Sequence, residues 1–245
     1  HVITRDVDED AGVYTVAIPC GGGLEPVPEH LSLRLVNGMT LFPGDPDRAL
    51  LVGGQAVFEP VDADDTRLLT RRPDGGWAQA AAFDLWGDAV DLTGLAIHPD
   101  GHTALVPNGS SFSDEGAQVM ALDLTGPEPV ETARFMDMQD ARQARYHRDG
   151  TAFVTRLEPG RITVFLDEGE GPEPVTELRY GLPEDLAVVQ RGALDGVVVL
   201  PAVSPQAGSQ LVTLRVSAPG VVDEIEVKPL PEGSIYIPGS VAVAP

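Results

Sequence analysis

Leu95-Ala96-Ile97-His98-Pro99-Asp100-Gly101-His102-Thr103-Ala104-Leu105-Val106-Pro107-Asn108 is an apolar run, a Pro-Asp-Gly turn and a second apolar run that ends in a polar loop. Asp-Gly between apolar runs predicts a hairpin, because glycine accepts the positive φ that such turns require. The stretch decides the fold because degraded copies of it recur along the chain. Upstream, Met39-Thr40-Leu41-Phe42-Pro43-Gly44 leads through Asp47 into Arg48 to Gly53. Downstream, Ala144 to Gly150 leads into Thr151-Ala152-Phe153-Val154-Thr155, and Leu186 to Val189 leads through Asp195-Gly196 into Val197 to Leu200.

Residue numbers set the period. Pro43 to Pro99 is 56 residues, Asp100 to Asp149 is 49 and Asp149 to Asp195 is 46. Spacings of about 40–50 residues are those of four-stranded propeller blades, WD-like repeats among them. Each repeat should then hold two further strands. Gln118 to Leu124 and Pro129 to Phe135 fill those places in one repeat, and Arg161 to Leu166 and Pro174 to Tyr180 in the next. Gln210 to Val216 and Val221 to Val227 follow, while Thr66 to Thr70 and Trp77 to Leu85 serve the earliest full repeat. Short Val-, Leu- and Thr-rich runs with Gly and Pro between them leave little room for helices. The fold class expected is all-β, a β-propeller of four-stranded antiparallel blades, with residues 1–245 forming one domain.

The ends of the chain fit the same frame. His1 to Arg5 reads as a second strand, Val13 to Ile18 as a third and His30 to Val36 as a fourth, while Ser240 to Pro245 reads as a first strand. Four whole repeats and one blade shared by the two ends make about five blades. Two arrangements stay open: a ring closed by that shared blade, or a section of a longer propeller.

Composition narrows the function classes. Against 38 acidic residues stand 16 basic ones, a net charge of −22. Nucleic acids and anionic membrane surfaces need a basic footprint, so neither is an expected partner. Membrane insertion is not expected either, because no apolar run reaches the length of a span. The hydrophobic content of 42% is that of a globular chain. Cys20 is the sole cysteine, so no internal disulfide can form.

The residues from Leu95 to Asn108, followed by Val119 to Leu124 with the ending Asp123-Leu124, resemble the bacterial YVTN-type and lactonase-like propeller repeats. The chain departs from that pattern where Ala104-Leu105-Val106 stands in place of Tyr-Val, and in its number of repeats. The resemblance implies a propeller and a periplasmic or secreted location. It does not imply one activity, because propellers host enzymes and binding modules alike.

Candidate sites come from the loops. Those joining a fourth strand to the next first strand carry Asp88 and Asp91, Asp137 and Asp140, Glu184 and Asp185, and Glu232. Gathered near the axis they would form an acidic channel mouth, suited to a hard cation or to a protein or small-molecule ligand bearing a cationic group. The first reading is therefore a binding or scaffolding propeller that recognises its partner through this acidic face. The alternative, implied by the resemblance, is a calcium-dependent lactonase-like hydrolase with its site at the mouth of the central channel. There Asn37 and Asn108, the only asparagines, would join Asp91 or Asp140 as oxygen ligands. No organic cofactor is expected, and calcium is the one ion the sequence leaves open.

Two other acidic tips, Asp6 to Gly12 and Asp62, Asp64 and Asp65, read as solvated hairpin ends. In the first, glycine arrives one residue late for a calcium loop and Ala17 stands where the closing glutamate belongs. His98 and His147 share one repeat position, which argues for a structural role. No paired-histidine metal motif, nucleophile elbow, phosphate loop or cysteine cluster is present.

Overall fold

The computed structural model describes residues 2–4, 12–14, 16–17, 25–26, 31–32, 36–53, 65–85, 92, 94–109, 118–138, 140–157, 160–183, 185–204 and 208–231, with side chains from residue 38 onward. The described chain is strand throughout, with one three-residue 3-10 turn at Gly192–Leu194. No helix among the described residues is long and apolar enough to cross a membrane.

At the N-terminus β1 (Val2–Thr4), β2 (Gly12–Tyr14) and β5 (Leu31–Ser32) form a three-stranded sheet in that order, and β3 (Val16–Ala17) pairs with β4 (Glu25–Pro26) as a separate ribbon. The three successive positions expected there are present, but the expected third strand divides at Tyr14. Val36 does not end the fourth strand; it opens the next sheet.

Four antiparallel sheets follow, each in sequence order from its inner to its outer strand. The first blade holds β6 (Val36–Phe42), β7 (Asp45–Gly53), β8 (Thr66–Arg71) and β9 (Trp77–Phe83). In the second are β10 (Ala96–Ile97), β11 (Thr103–Asn108), β12 (Gln118–Asp123) and β13 (Val130–Phe135). The third is β14 (Ala141–Tyr146), β15 (Thr151–Arg156), β16 (Arg161–Asp167) and β17 (Pro172–Arg179). In the fourth the inner strand breaks into β18 (Leu182–Pro183) and β19 (Ala187–Val188), both paired with β20 (Val197–Ser204). β21 (Gly208–Ala218) and β22 (Val221–Pro229) complete it. Residues 240–245, expected to close the ring as a first strand, lie outside the described residues.

The turn that set the frame is built as its residues require. Gly44, Gly101, Gly150 and Gly196 hold φ of 76°, 81°, 89° and 76°, a region that a Cβ makes costly. Asp100 Oδ1 accepts the His102 N–H at 2.7 Å, and Asp149 Oδ1 accepts the Thr151 N–H at 2.9 Å. A short acidic side chain that closes its own turn in this way is the reason Asp precedes Gly.

The cores lie between blades. Side chains on successive strand residues point to opposite faces, so Ala104 and Val106 of β11 join Leu50, Val52, Met120 and Leu122 in the seam between blades one and two. Leu105 faces the other way, with Val119, Ala144, Val154 and Phe165 between blades two and three. Phe153, Ile162 and Val164 meet Leu186, Leu200 and Leu214 between blades three and four. Outer strands do not share this burial: β22 is exposed along most of its length, including Val221 and Ile225. Asp65, expected at a solvated tip, is only 5% exposed; it accepts hydrogen bonds from the Thr66 hydroxyl and the Leu85 N–H and ties β8 to the end of β9.

Candidate functional site

Inner strands of neighbouring blades touch one another: β6 meets β10, β10 meets β14, and β14 meets β19. They therefore form the wall around the axis. Along that wall runs a cleft of about 630 Å³, within the size range of small-molecule sites.

The repeat frame explains which residues line it. Backbone bonds His98 N–H to Thr103 O, His147 N–H to Thr151 O and Val189 N–H to Val197 O mark one equivalent position in three blades, and Phe42 holds it in the first. Counting back four residues gives Gly38, Gly94, Gln143 and Asp185; counting back two gives Thr40, Ala96, Arg145 and Ala187. Of these residues Gly38, Thr40, Gly94, Ala96, Gln143 and Arg145 line the cleft. Blades one and two thus present glycine where blades three and four present polar side chains. Gly38 and Gly94 line the cleft together with Gln143, Arg145, Arg148 and Gln190.

The glycines are required. A Cβ on Gly94 would collide with Gln143 Oε1 and with the Arg142 carbonyl, and a Cβ on Gly38 would stand 3.2 Å from the Gly94 Cα. Close approach of three inner strands is what aims Gln143. Its Oε1 accepts from Arg145 Nη1 at 3.0 Å, the Ala144 carbonyl accepts from the same nitrogen at 2.8 Å, and Arg145 Nη2 meets Asp185 Oδ1 at 3.2 Å. Asp185 also accepts the Leu186 N–H at 2.8 Å. From the fourth blade, Gln190 Nε2 donates to the Tyr146 carbonyl, so that its side chain bridges to β14. Arg148 Nη2 lies 2.5 Å from Asp195 Oδ2.

Beneath the cleft the recurring histidines join blades. His98 Nδ1 lies 2.8 Å from Asp100 Oδ1, and its ring meets Tyr146 edge-on at 5.1 Å. His147 Nδ1 lies 2.9 Å from Asp149 and its Nε2 3.6 Å from Asp195 of the next blade. Burial pushes the Tyr146 phenol above the usual tyrosine range, and the Asp167 and Asp100 carboxylates add to the shift. For Asp100 and Asp149 burial acts to raise the carboxyl, but their backbone and histidine hydrogen bonds outweigh it and hold both below the usual carboxylate range.

The loop carboxylates anticipated as an acidic mouth are placed differently from one another. Asp185 is 6% exposed at its side chain and paired with Arg145. Asp140 lies 2.5 Å from Arg142 Nη2. Asp137 holds a positive φ of 63°, and its carbonyl accepts from Arg156. Asp88, Asp91, Glu184 and Glu232 lie outside the described residues. Of the anticipated calcium ligands, Asn108 is buried at the end of β11 opposite Gln118, and Asp140 is in its ion pair. Asp91 and the Asn37 side chain lie outside the described residues. Among the described residues no group of three or more His, Cys, Asp or Glu side chains could hold a metal ion.

Solved structures share this fold. A protein from Lactobacillus plantarum superposes with a TM-score of 0.66 at 12% identity, over 88% of this chain and 64% of the other. A putative 6-phosphogluconolactonase from Bacteroides uniformis gives 0.65 at 12% identity, over 93% and 67%. The periplasmic gluconolactonase of Pseudomonas aeruginosa gives 0.64 at 15% identity, over 90% and 65%. This chain is a β-propeller. It spans about two thirds of the length of those structures. No family model matches the sequence, and no curated protein does.

The residues that build the propeller's cleft were not singled out by motif. Gln143, Arg145, Arg148 and Gln190 belong to no signature pattern. Their signal is place in the repeat: Arg145 falls two residues before His147 on a first strand, where blades one and two carry Thr40 and Ala96.

Proposed function

We propose that this propeller is a lactonase-like hydrolase acting on a sugar lactone held in the axial cleft. The observation that carries the reading is Arg145, fixed between Gln143 and Asp185 on the cleft wall, in a fold shared with gluconolactonases. Water adding to a lactone carbonyl puts negative charge on the carbonyl oxygen. A guanidinium held in advance by its neighbours stabilises that charge without reorganising. Thr40 and Gln190, also on the wall, offer hydroxyl and amide groups to the sugar hydroxyls. The resemblance of Leu95–Asn108 to YVTN-type repeats and an exported, periplasmic location belong to the same proposal, as does dependence on calcium.

The test is hydrolysis of glucono-1,5-lactone followed in a pH-stat, with and without a calcium chelator. We expect turnover above the spontaneous rate, and a loss of about 10²-fold or more in Arg145→Met, the scale of removing one oxyanion donor. Turnover equal in wild type and Arg145→Met would reject the assignment. Saturable lactone binding without turnover would favour the binding-module reading.

A further inference from the structure

We infer that a ligand enters the axial cleft from the face that carries the Asp-Gly turns, past Pro43, Pro99 and Arg148, and that the level of Gly38 and Gly94 is the floor. The inference goes beyond the lactonase reading and holds for any ligand of the cleft. At the floor, contacts run from blade one to blade four. A Cβ on Gly38 would stand 3.2 Å from the Gly94 Cα, and one on Gly94 would collide with Gln143 Oε1, so three inner strands lie against one another there. Gln143 Oε1 in turn accepts from Arg145 Nη1 at 3.0 Å, and Arg145 Nη2 meets Asp185 Oδ1 at 3.2 Å. Just above this level Thr40 Oγ1 donates to the Leu95 carbonyl at 3.2 Å and ties the first two inner strands together once more.

Exposure rises towards the other end. The Asp185 side chain is 6% exposed, Arg145 35% and Arg148 63%. Gly94 and Leu95 are buried, whereas Pro43 and Gln190, which line the same cleft, are exposed. Pro43 and Pro99 stand directly before the turns at Gly44 and Asp100-Gly101, and their rings fix φ, so this side of the rim is rigid. On the other side the rim side chains are anchored across the seam of blades three and four. Gln190 Nε2 donates to the Tyr146 carbonyl, and Arg148 Nη2 lies 2.5 Å from Asp195 Oδ2. A molecule entering here meets Arg148 and Gln190 first and Arg145 last. On the lactonase reading the reacting carbonyl therefore leads, and Arg148 and Gln190 meet the trailing part of the ring. Asp140 precedes β14 and lies beyond the floor, off this path.

Thiol accessibility tests the direction of entry without any ligand. Cys20→Ser removes the sole native thiol and gives a background for single cysteines. Reaction with N-ethylmaleimide should be fastest for Arg148→Cys, slower for Thr40→Cys and slowest for Gln143→Cys. A bulky ring at the rim, from Pro43→Trp or Arg148→Trp, should leave the Thr40→Cys thiol reactive only through local opening and slow it at least about tenfold. Leu182→Trp, at an exposed position on β18 beyond the floor, should change that rate by less than about twofold. Circular dichroism and thermal unfolding check each variant, and the order of the single cysteines decides should a tryptophan variant not fold. Gln143→Cys reacting faster than Thr40→Cys would overturn the inference, as would a Thr40→Cys rate that the rim tryptophans leave unmoved or that Leu182→Trp slows. Where glucono-1,5-lactone is hydrolysed, Pro43→Trp should lower kcat/KM at least about tenfold, and an unchanged value would count against entry at this face. Should the lactone not be hydrolysed, the catalytic reading fails while the thiol rates still decide this one.

Discussion

Arg145 on β14 and Asp185, in the break between β18 and β19 of the adjacent blade, are 40 residues apart in sequence, and their side chains meet at 3.2 Å. The guanidinium is 35% exposed at its side chain and the carboxylate 6%. The pair is therefore asymmetric: one partner can turn to water and the other cannot. Arg145→Met should destabilise the fold more than Asp185→Asn, because it takes the cation from the more deeply buried of the two partners. We expect about 2–3 kcal/mol for the arginine variant and about 1 kcal/mol for the other, the partial exposure of the pair reducing both. Urea unfolding of the two variants measures the difference.

Gly94 should be sensitive out of proportion to its size. Alanine there forces Gln143 away from Arg145 and presses on the Arg142 backbone. A cost of about 1–3 kcal/mol is typical of an overpacked site. The more telling outcome is functional: Gly94→Ala should lower kcat on the lactone with the stability loss recorded separately by thermal unfolding. Gly44→Ala, at a turn where a Cβ meets nothing within 4 Å, should lose stability through its positive φ and leave kcat unchanged.

Core and outer strand should separate cleanly. Phe165 is fully buried in the seam of blades two and three, and Phe165→Ala should cost about 3–5 kcal/mol. Val130, 58% exposed on β13, should change stability by no more than about 0.5 kcal/mol on replacement by alanine. Both values come from the same denaturant titration.

Acid should attack the blade turns. The Asp100 and Asp149 carboxyls are held below the usual carboxylate range in the folded chain. A depressed value means stability that is full above the unfolded carboxylate pKa of about 3.9 and is lost as the pH falls through the folded one. The difference in unfolding free energy between wild type and Asp100→Asn/Asp149→Asn should therefore be constant from about pH 6 to pH 5 and shrink below about pH 4. Taking the difference removes the opposite trend from easing the mutual repulsion of the other carboxylates.

The architecture was legible because it rests on local chemistry repeated at a fixed interval. Asp-Gly turns, alternating apolar strands and Gly/Pro breaks each act over a few residues, and Leu95–Asn108 folds as the hairpin its residues describe. Boundaries moved where backbone pairing overrode composition, as at Val36 and at the interrupted inner strand of Leu182–Pro183 and Ala187–Val188. The cleft was less legible. Asp140 and Asp185 drew attention as loop carboxylates, yet what each does depends on the arginine it meets, and for Asp185 that arginine is one blade away. Arg145 carried no motif, and only its place in an aligned repeat marks it as the counterpart of Thr40 and Ala96, which line the same cleft.

The placement of the cores has a consequence for how injury spreads. Each apolar layer belongs to two neighbouring blades, and alternate residues of one strand serve different layers: Val106 one, Leu105 the next. Energetic coupling is thus confined to nearest neighbours, as in a one-dimensional chain of links. Lesions in separate layers, Leu50→Ala and Leu214→Ala for example, should add independently, whereas two in one layer should not. The described blades can then drift in sequence one joint at a time.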